Sequence, residues 1–207
     1  MARVVHIHPD SPQQRLLVQA AEFIRDGGVV ALPTDSCYAL GCHLGDKEAL
    51  DRIRLIRQMD ERHHLTLMVR DLSEIAHFAR VDNAQYRLLK ATTPGSYTFI
   101  LEGTKELPRR ILHPKRKTIG LRVPAHPVPL ALLEELNEPM LTSTLMLPGD
   151  DLPLNDPEEI RERLEKRIDL VIAAGACGLQ MTTVVDLTGL APALVRAGSG
   201  PLEPLGL

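Results

Sequence analysis

Three polar residues interrupt an apolar run near the start of the chain. Thr34, Asp35 and Ser36 follow Val29-Val30-Ala31-Leu32-Pro33 and precede Cys37-Tyr38-Ala39-Leu40-Gly41-Cys42. Two hydroxyls and a carboxylate so close together can orient a small polar substrate. Pro-Thr-Asp-Ser is also good turn chemistry, because proline presets φ and short polar side chains bond their own backbone. Residues 29–32 are β-rich and bounded by Gly27-Gly28 and Pro33, which predicts a strand buried on both faces. The polar triplet then stands at the strand's carboxyl end, where the loops of open α/β sheets form their ligand crevice.

A second concentration of chemistry is cationic. Lys105, Arg109, Arg110, Lys115, Arg116, Lys117 and Arg122 share one segment, in which Glu106 is the only acid after Lys105. Such density suits phosphate: a nucleic-acid backbone would engage several of these charges and a single nucleotide two or three. A solvated basic loop is the plainer alternative. With three Phe, three Tyr and no Trp, stacking platforms are lacking, so recognition of duplex shape is expected over the reading of single strands. His63-His64 beside Arg62 can bind an anion or form a polar loop. His6 and His8 share one face of a short strand, without a third metal ligand nearby. No spacing favours Cys42 or Ser143 as a nucleophile. Dinucleotide and phosphate-loop fingerprints, the nucleophile elbow and the zinc-protease pair are all absent from the sequence.

Elements must position these groups. Ser11-Pro12-Gln13-Gln14 reads as a capped helix start, with Leu16, Ala20, Phe23 and Ile24 as its apolar stripe and Gly27-Gly28 as its end. Asp46 caps a second helix that buries Leu50, Ile53 and Ile56. Strand character recurs at 65–69, 97–101, 118–123, 140–144, 170–173, 183–187 and 193–196. Helices are expected at 73–78 and 82–90, from Pro127 or Pro129 through Leu136, and after Asp156, the last laced with Glu159–Arg163 and Glu162–Lys166 pairs. This alternation predicts an α/β sheet that is mixed at its end, where the last strands follow one another without helices.

Composition narrows the class. The chain has 207 residues, 44% hydrophobic and 25% charged, with a net charge of −3. These values predict one globular domain over 1–207 with no global pull toward nucleic acid. No apolar run reaches the length of a membrane span and the amino end lacks a signal-peptide pattern, so a cytoplasmic location is expected. Three cysteines without a metal or disulfide spacing agree with a reducing compartment.

Four stretches in order resemble the YrdC-like domain family: residues 33–41, Thr93-Pro94-Gly95-Ser96-Tyr97-Thr98, Ile119-Gly120-Leu121-Arg122-Val123-Pro124-Ala125-His126, and Thr182-Thr183-Val184-Val185-Asp186 with Val195-Arg196-Ala197-Gly198. Within it, Ile7-His8-Pro9-Asp10, Pro108-Arg109-Arg110 and Met146-Leu147-Pro148-Gly149 resemble the YciO branch. The resemblance implies a twisted open mixed sheet with flanking helices around a concave basic cavity, associated with double-stranded RNA or tRNA. It also implies synthesis of threonylcarbamoyl-AMP from L-threonine, bicarbonate and ATP with Mg²⁺, for tRNA modification, with no membrane partner. Carried onto this sequence, Thr34, Tyr38, Arg122 and Thr144 are implied substrate ligands, with Arg122 holding a carboxylate through its fork. Arg57, Pro94, Gly95, Thr98 and Arg196 are implied at the nucleotide and phosphates. Arg109, Arg110, Lys115, Arg116 and Lys117 are the expected RNA contacts. The alternative is an RNA-binding module without catalysis.

The pattern departs from the family at two places. A Lys-x-Arg element reads Arg57-Gln58-Met59 here, and a Ser-x-Asn element reads Thr144-Leu145-Met146. Met59 and Met146 offer neither charge nor amide, so weakened or redirected synthase activity is expected. Loss of one transition-state charge contact commonly slows a reaction by about 10² to 10³.

Overall fold

The computed structural model of the chain describes residues 2–60 and 63–207. Arg62 lies outside the described residues. Among the described residues, ten strands occur in chain order: β1 (Arg3–His6), β2 (Val30–Leu32), β3 (Ala39–His43), β4 (Thr66–Met68), β5 (Tyr97–Glu102), β6 (Thr118–Arg122), β7 (Met140–Thr144), β8 (Leu170–Ala173), β9 (Thr183–Asp186) and β10 (Ala193–Arg196). Six α-helices accompany them: α1 (Gln14–Arg25), α2 (Lys47–Arg57), α3 (Leu72–Phe78), α4 (Asn83–Thr92), α5 (Pro127–Leu136) and α6 (Pro157–Leu164).

Helix starts follow local chemistry where a carboxylate stands at the N-cap. Asp46, Asp71, Asp82 and Asp156 each accept a hydrogen bond from the backbone of the first turn, and Asp82 completes a capping box with Gln85. The first helix is a correction. It begins at Gln14 with Gln13 as an N-cap that makes no side-chain cap bond, so Ser11 and Pro12 stand outside it. The Gln13 side chain instead accepts from the backbone N–H of His8, 3.0 Å away. The buried stripe is accordingly Leu17, Ala20, Ala21 and Ile24, with Leu16 and Phe23 only partly covered. The chain leaves α1 through Gly27 at φ +83°, a conformation that glycine adopts without a side-chain clash.

All ten strands form one sheet in the order β1-β8-β2-β3-β7-β4-β6-β5-β9-β10. Its mixing is not confined to the end. β2 with β3, β3 with β7, β7 with β4 and β5 with β6 are antiparallel in the middle, whereas β1 with β8, β2 with β8, β4 with β6 and β5 with β9 are parallel. The turn through Thr34-Asp35-Ser36 is the reason at β2: it reverses the chain directly into β3 without a crossover helix.

Alternation along the strands separates two cores. Val30 and Leu32 of β2 and Leu170 and Ile172 of β8 pack with α1 and α5, whereas Ala31 and Val171 belong to the core under α2 and α6. Residues 29–32 are fully buried, as a strand covered on both faces requires. Toward β5 the pattern changes. Tyr97, Phe99 and Leu101 enter the core, while Thr98 and Ile100 of the same strand turn to a cavity on the other face.

Candidate functional site

That cavity measures about 510 Å³. Hydroxyl-bearing residues make much of its lining: Thr66 of β4, Thr98 of β5, Thr142, Ser143 and Thr144 of β7, and Thr182 just before β9. Three guanidinium groups, Arg57, Arg122 and Arg196, enter from the end of α2, the end of β6 and the end of β10, with His63 and His64 beside them. Among the described residues lining the cavity there is no carboxylate.

The three arginines are held differently. Arg122 is buried and its Nη2 donates to Asp35 Oδ1 at 2.5 Å and to Ser36 Oγ at 3.1 Å. Its buried Nε has no hydrogen-bond partner among the described residues. Burial alone would raise the Asp35 carboxyl, but the charge of Arg122 and the hydrogen bonds from Ser96 and Arg122 keep it below its ordinary value. Arg57 donates from Nε to Ser143 Oγ at 3.3 Å and from Nη1 to the Met146 carbonyl. Arg196 donates from Nη2 to the Thr182 carbonyl at 2.9 Å. Neither Arg57 nor Arg196 has an ion-pair partner among the described residues. Burial pulls the pKa of both down, and the charge of Arg196 pushes Arg57 in the same direction. Two poorly hydrated cations that repel each other across one cavity are stabilised by an anion between them.

Six of the ligands implied by the family resemblance line this cavity: Tyr38, Arg57, Thr98, Arg122, Thr144 and Arg196. Tyr38 is fully buried and its hydroxyl donates to the Gly175 carbonyl at 2.8 Å, so that group is engaged by backbone. Thr34 does not line the cavity. Its hydroxyl donates to the Cys37 carbonyl at 2.6 Å and accepts from the N–H groups of Ser36 and Cys37, so the triplet is a hydrogen-bonded turn as well as a support for Arg122. Pro94 and Gly95 also stand outside the lining. A Cβ on Gly95 would fall 2.6 Å from the Thr92 carbonyl, so the glycine permits the tight turn that delivers Ser96 to Asp35.

Apart from Arg122, the cations of the basic segment stand outside the cavity lining. Arg109, Arg110, Lys115, Arg116 and Lys117 are exposed, but three of them are engaged. Arg116 pairs with Asp186 at 2.6 Å, Arg110 donates to the Gly45 carbonyl, and Lys117 donates to the Pro114 carbonyl. The cavity therefore takes its positive charge from arginines scattered along the chain.

Thr66, Thr142 and Thr182 also line the cavity, with no motif in the sequence to give them a role. Their signal is a hydroxyl where an apolar strand would carry another aliphatic side chain. His63 and His64, weighed as anion ligands, do reach the cavity; His64 also stacks on His113 and bonds Thr118 Oγ1 at 2.8 Å. Ser143 lines the cavity but donates to Met59 Sδ at 3.4 Å, and Cys42 is buried in the core with its thiol pushed up to about 12 by burial. Neither is set up as a nucleophile.

An open mixed α/β sheet with three arginines lining a cavity on one face defines an α/β domain with a cationic pocket. The family model Sua5_yciO_yrdC, described as "Telomere recombination", matches residues 22–198, and the chain belongs to that family. The protein YciO of Escherichia coli K12, itself described as uncharacterized, is 56% identical over 204 residues, 99% of each chain. The crystal structure of E. coli YciO superposes with a TM-score of 0.96 and covers 99% of this chain and 100% of that one. The threonylcarbamoyl-AMP synthase of Halorhodospira halophila is 30% identical over 80% of this chain and 86% of its own. Pyrococcus abyssi Sua5 in complex with L-threonine is 27% identical with a TM-score of 0.88, covering 97% of this chain and 58% of that one.

Proposed function

We propose that the cavity binds an AMP- or ATP-type nucleotide beside a small amino-acid carboxylate, and that the chain carries threonylcarbamoyl-AMP synthase-type chemistry in weakened or redirected form. The observation that supports this most directly is the placement of Arg57 and Arg196, two half-buried guanidinium groups without an ion-pair partner among the described residues, at one cavity that Arg122 also enters. Its relatives add the reaction class: a curated synthase at 30% identity and a Sua5 structure that holds L-threonine.

In that chemistry a carbamate oxygen formed from L-threonine and bicarbonate attacks the α-phosphorus of ATP, and the bond to pyrophosphate breaks. No protein nucleophile takes part. The role left to this chain is positioning and charge stabilisation, which arginines on fixed strand and helix ends supply without reorganising. With no carboxylate in the lining and no cluster of three potential metal ligands among the described residues, Mg²⁺ enters as part of the MgATP substrate.

A second reading, duplex RNA or tRNA binding without catalysis, is favoured by the exposure of Lys105, Arg109 and Lys115 outside the cavity. Both readings suit a cytoplasmic protein, and no helix among the described residues is long and apolar enough to cross a membrane. The deciding experiment follows pyrophosphate release with ATP, L-threonine and bicarbonate, each omitted in turn. Release that needs all three supports the synthase reading; release indifferent to L-threonine assigns the cavity to redirected chemistry on another acceptor; no release at all favours the second reading.

A further inference from the structure

Arg122 has five N–H donors, and every two-pronged grip on a carboxylate uses Nη2, either with Nη1 or with Nε. Nη2 carries two hydrogens. One goes to Asp35 Oδ1 and the other to Ser36 Oγ. A ligand carboxylate therefore meets a guanidinium whose two forks are both broken, although Nε has no partner among the described residues and Arg122 faces the cavity. Asp35, which itself stands outside the cavity lining, takes the Nη2 hydrogen that such a ligand would need.

What keeps Asp35 there is visible on its other oxygen. Asp35 Oδ2 accepts from Ser96 Oγ at 2.5 Å, and the Ser96 hydroxyl also lies 3.4 Å from the Asp35 carbonyl. Ser96 is fixed in turn by β-sheet pairing, since its carbonyl accepts from Thr183 N–H at 3.0 Å at the start of β9. The side chains of Arg122 and Asp35 are only 7% and 10% exposed, so water competes poorly for either. In such surroundings a charge-assisted hydrogen bond to one carboxylate oxygen restrains the other.

We propose that Ser96 is a specificity-determining positioning residue: by pinning Asp35 onto Arg122 it makes Asp35 an internal competitor and weakens the cavity's grip on a ligand carboxylate. The inference rests on the reading that a small carboxylate binds beside the nucleotide. It acts at the Arg122 end alone. Arg57 and Arg196 make no hydrogen bond to Ser96 or Asp35, so a phosphate held by them is unaffected.

Calorimetric titration of the full chain with L-threonine and, separately, with AMP tests this. Ser96→Ala should tighten L-threonine binding by about tenfold, which corresponds to about 1.4 kcal/mol, and leave AMP binding unchanged. Ser96→Thr keeps the hydroxyl and should restore the wild-type affinity, which a merely structural effect of the mutation would not do. L-threonine affinity that is unchanged or weaker in Ser96→Ala while AMP binds normally overturns the role of Ser96 and leaves the nucleotide reading standing. Failure of wild type and variants to bind either ligand overturns both.

Discussion

Arg57 donates from Nη1 to the main-chain carbonyl of Met146, joining the end of α2 to the chain leaving β7 beside the cavity. The same guanidinium reaches Ser143 Oγ, whose own hydrogen points to Met59 Sδ. The Met59 thioether, through Ser143, and the Met146 carbonyl are thus both tied to a half-buried cation at the end of the cavity where phosphate is proposed to bind. Because the bond to Met146 uses its carbonyl, a new side chain at 146 leaves it intact.

Met59→Arg together with Met146→Asn should therefore raise threonine-dependent pyrophosphate release, by up to about 10² if one transition-state contact is regained. The two positions are linked through the Arg57–Ser143 hydrogen bond, so the double change should exceed the sum of the singles. Activity that stays at background in a variant with wild-type melting temperature would place the departure from the synthases elsewhere.

Stability should fall as acid is added through the histidine range. Burial pushes both His64 and His126 below their ordinary value of 6.5, so the folded chain holds them neutral while the unfolded chain takes up protons first. Their contribution is present above the unfolded value and is lost as pH falls below it, toward the lower folded values, so the melting temperature should drop between about pH 7 and pH 5. His126 Nδ1 accepts from Val128 N–H as the N-cap of α5, a bond that a protonated ring cannot accept. His126→Asn keeps a cap without titrating there and should flatten the profile. A profile as steep as wild type would remove His126 from the account.

Cations of the basic segment should separate into two groups. Lys115→Ala and Arg109→Ala should each reduce the slope of log affinity against log salt for duplex RNA by about one, if the RNA reading holds. Arg116→Ala should act mainly on stability, because it breaks the pair with Asp186 and the bond to Thr188 Oγ1; for so exposed an arginine the loss is about 0.2–1 kcal/mol. Equal salt slopes for all three variants would show that the segment binds no phosphate, or that the Asp186 pair does not occupy Arg116.

Local chemistry explains what was legible beforehand. Asp46, Asp82 and Asp156 mark helix starts because each cap acts within one turn, and residues 29–32 read as a strand because burial on both faces leaves a continuous apolar run. Gln13 escaped that logic, since Ser11-Pro12 is a good start signal that the packing of α1 does not use. Arg57, Arg122 and Arg196 were marked by resemblance, yet nothing local says that they face one cavity. That follows from the order β7-β4-β6-β5-β9-β10, which depends on pairings between distant segments. The density of charge in 105–122 drew attention as phosphate chemistry, but only Arg122 of that segment lines the cavity.

Arg122→Ala is a poor probe of the cavity, because it leaves the Asp35 carboxylate buried without its partner, a change that commonly costs about 3–5 kcal/mol. Arg196, which has no ion-pair partner among the described residues and donates to the Thr182 carbonyl, tests the central claim more directly. The measurement is the rise in melting temperature caused by AMP, in wild type and in Arg196→Ala. A nucleotide-binding cavity predicts a concentration-dependent rise in wild type that is lost in Arg196→Ala, with the unliganded melting temperatures close together. No rise in wild type, or the same rise in Arg196→Ala, would contradict the assignment of this cavity to a nucleotide.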